Sequence, residues 1–267
     1  MRLKHMAAIL LRQYYLMRGS VARLLPLFAW VAVDILLWGF ITRYLNEIAA
    51  ANFNFVPVLL GAVLMWDFFT RVMQGVTTSF LEDVWSRNFL NLFATPLTMP
   101  EYVSGLVLTS IATSLVGLIV MIVLASSLFG LSYLSFGLIL IPFLLVLFLF
   151  GIALGIAGAA MVLRLGPASE WFIWPIPAMI SPFVGVFYPL ATLPHWMQYV
   201  AYALPPSYVF EGMRAILSGQ PFATHLLLWG IVLAGVYIVL AGWFFLRVYR
   251  YAVRTGLLAR YSAETTA

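Results

Sequence analysis

The sequence contains no cysteine, which excludes disulfides and thiolate metal sites. It contains a single lysine, Lys4. The phosphate cradle of a P-loop ATPase, G-x-x-x-x-G-K-[ST], needs a lysine inside a glycine-rich turn, so the chain carries no ATPase site of that kind. The three histidines, His5, His195 and His225, are scattered and adjoin no acidic cluster. They outline neither a metal site nor a nucleophile–base pair. Charge is scarce: 9% of residues are Asp, Glu, Lys or Arg, against roughly a quarter in soluble domains. From residue 102 to residue 163 there is none at all. Crossing a bilayer takes about 20 apolar residues, and this gap holds two crossings and a turn. Such a chain cannot build a water-exposed surface and is expected to be an integral membrane protein.

What is abundant is apolar and aromatic, 64% and 16% of the residues. Residues 1–23 read as an amphipathic helix, with Met6, Ile9, Leu10, Tyr14 and Met17 at helical spacing and basic residues between them. Such a helix lies in the headgroup plane, its cations drawn to anionic lipid. Gly19 and Ser20 supply an elbow. Six apolar segments follow, near 24–42, 56–79, 102–128, 136–163, 171–188 and 226–246. An even number of crossings puts both termini on one side. Basic residues in both tails, including Arg12, Arg18, Arg247 and Arg254, assign that side to the cytoplasm. The expected fold is all-α, with six transmembrane helices in one membrane domain, 24–267, behind an interfacial helix.

Two connections are more than loops. In SFLEDVWSRNFLNLFATPLTMPEYVSG (79–105), Phe80, Val84, Phe89, Leu92 and Phe93 form an apolar face, whereas Glu82, Asp83, Arg87, Asn88 and Asn91 are polar. The pattern stops at Thr95-Pro96, because a residue before proline avoids helical geometry. Thr98 is placed to cap a new helix containing Pro100 and Glu101. Two readings fit: a short cytoplasmic helix offering its polar side to a soluble partner, or a re-entrant tail of the second span. On the external side, seven of the 14 prolines lie between residues 175 and 206. Trp196–Leu204 and Tyr208–Leu217 are too short to span about 30 Å at about 1.5 Å per residue, yet too apolar for water. Two short re-entrant helices satisfy both constraints. Glu211 and Arg214, three apart, can pair on one helix face.

Three charges fall inside predicted spans: Asp34, Asp67 and Arg71. Each costs about 2.5–3.5 kcal/mol at a membrane centre, so each should face protein or water. Asp67 and Arg71, four apart, can neutralise each other or contact substrate. Asp34 has no local partner, and either meets Arg71 across the bundle or lines a cavity. Trp66, Phe68, Phe69, Trp171, Phe172 and Trp174 suit sugar stacking or an interfacial aromatic belt.

The patterns G-V-F-Y-P-L-x-x-L-P-x-W over Gly185–Trp196 and P-P-x-Y-x-x-E-x-x-R over Pro205–Arg214 resemble the exit region of bacterial type-2 ABC exporter permeases. That family exports polysaccharide, lipo-oligosaccharide and drugs. N-L-F-A-T-P-L at Asn91–Leu97 is similar to its coupling region. Two positions depart from it: Leu106 follows Gly105 where many members carry Lys, and Pro205-Pro206 stands where many carry Asn-Pro. The resemblance implies a permease in the bacterial inner membrane, surrounded by lipid and binding no nucleic acid. It also implies a second permease chain, with the path between the two copies. Two ATPase chains would supply ATP and Mg, so no cofactor is expected in this chain. Expected ATPase-coupling residues are Glu82, Asp83, Arg87, Asn91, Leu92, Thr95 and Pro96. Expected gate residues are Gly185, Tyr188, Pro189, Trp196, Glu211 and Arg214. The implied cargo is amphipathic or lipid-linked and glycan-type, or hydrophobic. The alternative is a proton-coupled secondary carrier using Asp34 and Asp67, but the internal repeat typical of such carriers is absent from the sequence.

Overall fold

Backbone N–H and C=O groups find no water inside a bilayer, so an apolar chain must satisfy them within helices. The computed structural model describes residues 3–48, 56–86, 91–92, 94–131, 137–220 and 224–257, and among them there is no strand. In chain order the helices are α1 (Leu3–Arg18), α2 (Val21–Ile48), α3 (Gly61–Trp85), α4 (Met99–Phe129) and α5 (Leu140–Leu165). There follow α6 (Glu170–Ile173), α7 (Ile176–Val184), α8 (His195–Tyr202), α9 (Pro205–Leu217) and α10 (Thr224–Arg254). A π-helical turn, Val56–Leu60, leads into α3.

Among the described residues, five stretches are long and apolar enough to cross a membrane: Phe28–Ile48, Val56–Trp85, Met99–Phe129, Gly137–Leu165 and Thr224–Arg254. They correspond to the first four expected spans and the last. The start of α4 follows the capping expectation, since the Glu101 carboxylate accepts the Thr98 N–H at 3.1 Å.

One segment differs from the sequence reading. The stretch 171–188 is not one helix. It divides into α6 and α7 around Trp174 and Pro175, and α7 ends at Gly185, whose φ is 65°. Pro175, Pro177 and Pro182 each remove a backbone donor. The nine residues of α7 rise only about 14 Å. Of the two readings of the 79–105 connection, Phe80–Trp85 follow that of a tail of the second span and form no separate element. They continue α3, because nothing between Thr78 and Trp85 breaks a helix. Asn91 and Leu92 are helical, whereas 87–90 and 93, and with them Arg87, lie outside the described residues.

Helix α3 is flanked by α4 and α5, α10 packs along α5, and α2 packs against α4. Helix α9 fills the angle between α5 and α10 at the end opposite α1. In lipid there is little hydrophobic drive between helices, so small residues that allow close approach do the packing. A Cβ at Gly155 of α5 would lie 2.8 Å from the Met73 carbonyl oxygen of α3. There the Thr77 hydroxyl donates to the Gly155 carbonyl at 3.1 Å. Phe69 stacks on Phe150 with centroids 5.6 Å apart, so Phe68 and Phe69, both buried, belong to the packing. The amphipathic helix α1 sits on α4. Ile9 fills the notch at Gly105, where a Cβ would come within 2.6 Å of it.

Candidate functional site

Along α3, Asp67, Arg71, Gln74, Thr78 and Glu82 recur at intervals of three or four, which places them on one helix face. Against this face α1, α2, α4 and the α6–α7 break leave a groove of about 610 Å³. Gln13, Trp30, Asp34, Thr113, Ser114 and Trp174 contribute to its lining from the other elements. Arg71 Nε donates to Asp67 Oδ2 at 2.8 Å, the i,i+4 pair expected from the sequence. Asp34 lines the groove and makes no ion pair or hydrogen bond among the described residues. Gln13 and Ser114 are each 2% exposed. Gln13 Nε2 and Ser114 Oγ find no partner among the described residues. An unsatisfied buried polar group costs about 1–3 kcal/mol, so the groove holds unused capacity for a polar guest. Among the described residues no His, Cys, Asp or Glu cluster could hold a metal. The arrangement can bind and orient a guest with polar groups.

Where the groove reaches α1, a second polar cluster straps three helices together. Asp83 is 1% exposed. Arg12 forks onto it, Nη1 donating to Oδ2 at 3.0 Å and Nη2 to Oδ1. The Tyr102 hydroxyl donates to Oδ2 at 2.7 Å. Burial works against the Arg12 charge, but the hydrogen bond and charge of Asp83 outweigh it, and the Arg12 pKa is raised. Nearby, His5 Nδ1 lies 2.9 Å from Glu101 Oε2. The adjacent acids Glu82 and Asp83 thus face opposite ways, Glu82 into the groove and Asp83 into the strap. Asn91, Thr95 and Pro96 are exposed at this end, while Leu92 packs against the core.

At the opposite end the expected gate residues come together. Glu211 Oε1 accepts the Leu190 N–H at 2.7 Å and Arg214 Nη2 at 2.8 Å. Arg214 Nη1 reaches the Val186 carbonyl at 3.5 Å. Gly185 is needed twice over, by its left-handed φ and by space, since a Cβ would lie 2.8 Å from the Tyr188 carbonyl. The Tyr188 hydroxyl donates to the Pro182 carbonyl at 2.7 Å, and Pro189 precedes a 3-10 turn at Leu190–Thr192. Trp196 is 63% exposed and meets Phe183 edge-on at 6.2 Å. Phe187 stacks on Trp38 of α2 at 5.0 Å, tying this loop to the first crossing.

Sequence reasoning missed Gln13, Gln74, Thr78 and Ser114 in the groove, and Arg12, His5 and Tyr102 in the strap. Gln74 and Thr78 had a signal, because they extend Asp67 and Arg71 at helical spacing in an apolar helix. The strap had none, its pairs being 71, 96 and 19 residues apart.

Comparison with curated proteins gave no match. The ABC-2 type transporter family matches residues 8–218, from within α1 to just past α9. That range includes every residue that lines the groove, the Arg12–Asp83–Tyr102 strap and the Glu211–Arg214 clamp. The chain belongs to the ABC-2 type transporter family.

Proposed function

We propose that this chain is the permease of an ATP-driven exporter that moves an amphipathic, lipid-linked glycan-type or hydrophobic substrate out of the cytoplasm or the inner leaflet. The family makes it a membrane-spanning transport subunit and implies an ABC ATPase partner. The observation that carries the export reading is the polar groove along α3, which begins beside α1 at Glu82 and Gln13 and extends into the crossing at Asp67 and Asp34. A substrate head group entering there meets Gln13, Gln74, Thr78 and Ser114 as hydrogen-bonding partners, while its apolar part stays in lipid. A second copy of this chain, packed on the largely exposed α2, completes the path.

The bacterial inner membrane is the setting, with the α1 end cytoplasmic, in keeping with its basic residues. Helices α6 and α7 together serve as the fifth of six crossings, and α8 and α9 are the re-entrant pair. Two ATPase subunits, holding ATP and Mg, dock at Glu82, Arg87, Asn91, Leu92, Thr95 and Pro96. Asp83 does not need to touch them. By joining α3 to α1 and α4 it passes their movement to the groove. At the outer end, Gly185, Tyr188, Pro189 and Trp196 gate the exit under the Glu211–Arg214 clamp.

The test is affinity purification in detergent followed by reconstitution. The expected result is co-purification of an ABC ATPase whose hydrolysis rate changes with Gln74→Leu or Asp34→Asn. The rival carrier, favoured by the unpaired Asp34, requires a different result: a chain that purifies alone, with flux that follows a proton gradient and vanishes in Asp34→Asn.

A further inference from the structure

The end of the bundle that carries α1 holds a second, separate pocket, of about 470 Å³, between the close of α5 and the last turns of α10. Helix α10 lies outside the residues matched by the family, and neither the groove nor the outer clamp uses it. Arg164 of α5 and Arg247, Arg250 and Arg254 of α10 all line this pocket. None has a carboxylate within ion-pair distance among the described residues. Four like charges around one cavity repel one another and set up a field that an anion would relieve.

Two of the four guanidinium groups are also held in place. Arg247 lies over the Trp243 ring at 5.2 Å and Arg164 over the Tyr251 ring at 5.9 Å. Stacking on an aromatic face fixes the plane of a guanidinium and leaves its edge N–H groups free to donate. Arginine forks of this kind suit the paired oxygens of a phosphate.

The surroundings identify the carrier of that phosphate. On α10 the face that bears Arg247 continues toward the membrane centre as Trp243, Leu240 and Val236, all at spacings of three or four and all exposed. An acyl chain can lie along that stripe while its head group reaches the arginines. A free phosphate would leave it uncovered. Arg250 and Arg254 continue the same face beyond Arg247, where head groups end and water begins. We infer that this pocket binds the phosphate of an anionic phospholipid, with one acyl chain on the Val236–Trp243 face of α10. Basic pockets between helices at a membrane surface suit such head groups.

The experiment is native mass spectrometry of the full chain in detergent, titrated with phosphatidylglycerol or phosphatidylcholine. Wild type is expected to prefer phosphatidylglycerol by about tenfold or more, and Arg247→Gln with Arg250→Gln to lose that preference. Arg247→Lys with Arg250→Lys keeps charge without the fork and should retain part of it. A measurement on wild type alone guards against a variant that fails to fold: phosphatidylglycerol should raise the unfolding temperature more than phosphatidylcholine. Equal binding of the two lipids overturns the inference. So does inorganic phosphate competing away the lipid at millimolar concentration, which would mark a free-anion site. Loss of the ATPase partner from the glutamine variants with lipid preference intact would instead make the arginines a protein-docking surface.

Discussion

The two ends of this molecule use the same chemistry, an ion pair supported by hydrogen bonds, in opposite ways. At the α1 end the contacts join separate helices: Arg12 of α1 pairs with Asp83 of α3, and His5 of α1 shares a hydrogen bond with Glu101 of α4. The acid at the centre is buried and shared with the Tyr102 hydroxyl. At the other end Glu211 and Arg214 lie three apart on one helix, and their remaining valences hold the backbone of the loop at Val186 and Leu190. A pair that bridges helices makes them move together. A pair confined to one helix, spending its hydrogen bonds on a loop, fixes that loop's shape and leaves neighbouring helices free. The first suits the transmission of force, the second a gate.

That contrast ranks the substitutions. Asp83→Ala should be the most damaging, because it leaves the Arg12 charge unpaired and the buried Tyr102 hydroxyl without its acceptor. A loss of about 3–5 kcal/mol is expected, read as a collapse of the thermal transition followed by size-exclusion chromatography. Next come Asp67→Asn and Arg71→Gln. Each breaks the Asp67–Arg71 pair inside a crossing, at a cost of up to about 2.5–3.5 kcal/mol, seen as reduced assembly. Exchanging the two residues together should recover that assembly. Recovery without transport would move the pair from support to substrate contact.

Gly185→Ala should cost about 1–2 kcal/mol from its left-handed backbone, with the crowding against Tyr188 added. Its signature differs from that of Asp83: the ATPase should still co-purify while flux fails. If Gly185→Ala disassembles the complex, the loop is structural and the contrast between the ends disappears. Trp196→Ala should have the smallest effect on stability, under about 1 kcal/mol, because it removes one edge contact from an exposed ring. It is expected to lower flux measurably all the same, and wild-type flux would exclude Trp196 from the gate.

Local order was legible in the sequence and long-range order was not. Asp67–Arg71 and Glu211–Arg214 could be anticipated because helical periodicity alone puts residues three or four apart on one face. The same rule, carried two turns further, yields Gln74 and Thr78. It cannot reach Gln13 or Ser114, which meet the groove only after α1 and α4 have packed. Nor can it pair Arg12 with Asp83. The stretch 171–188 misled for a different reason: its apolar content suggested one crossing, and hydropathy takes no account of the donors that Pro175, Pro177 and Pro182 remove. The run through Trp85 fits either reading by pattern, and the absence of a helix breaker decides for the tail of the second span. The five long crossings were visible because nothing else can be built from apolar runs of that length.

The groove on α3 is where the account stands or falls, and the cysteine-free chain makes it directly testable. A single cysteine at Gln74→Cys, in a complex reconstituted with its ATPase, should react with a membrane-impermeant maleimide from the α1 side in the nucleotide-free state. Trapping the ATPase with vanadate should abolish that labelling. Equal labelling in both states, or none in either, would contradict a substrate path along α3.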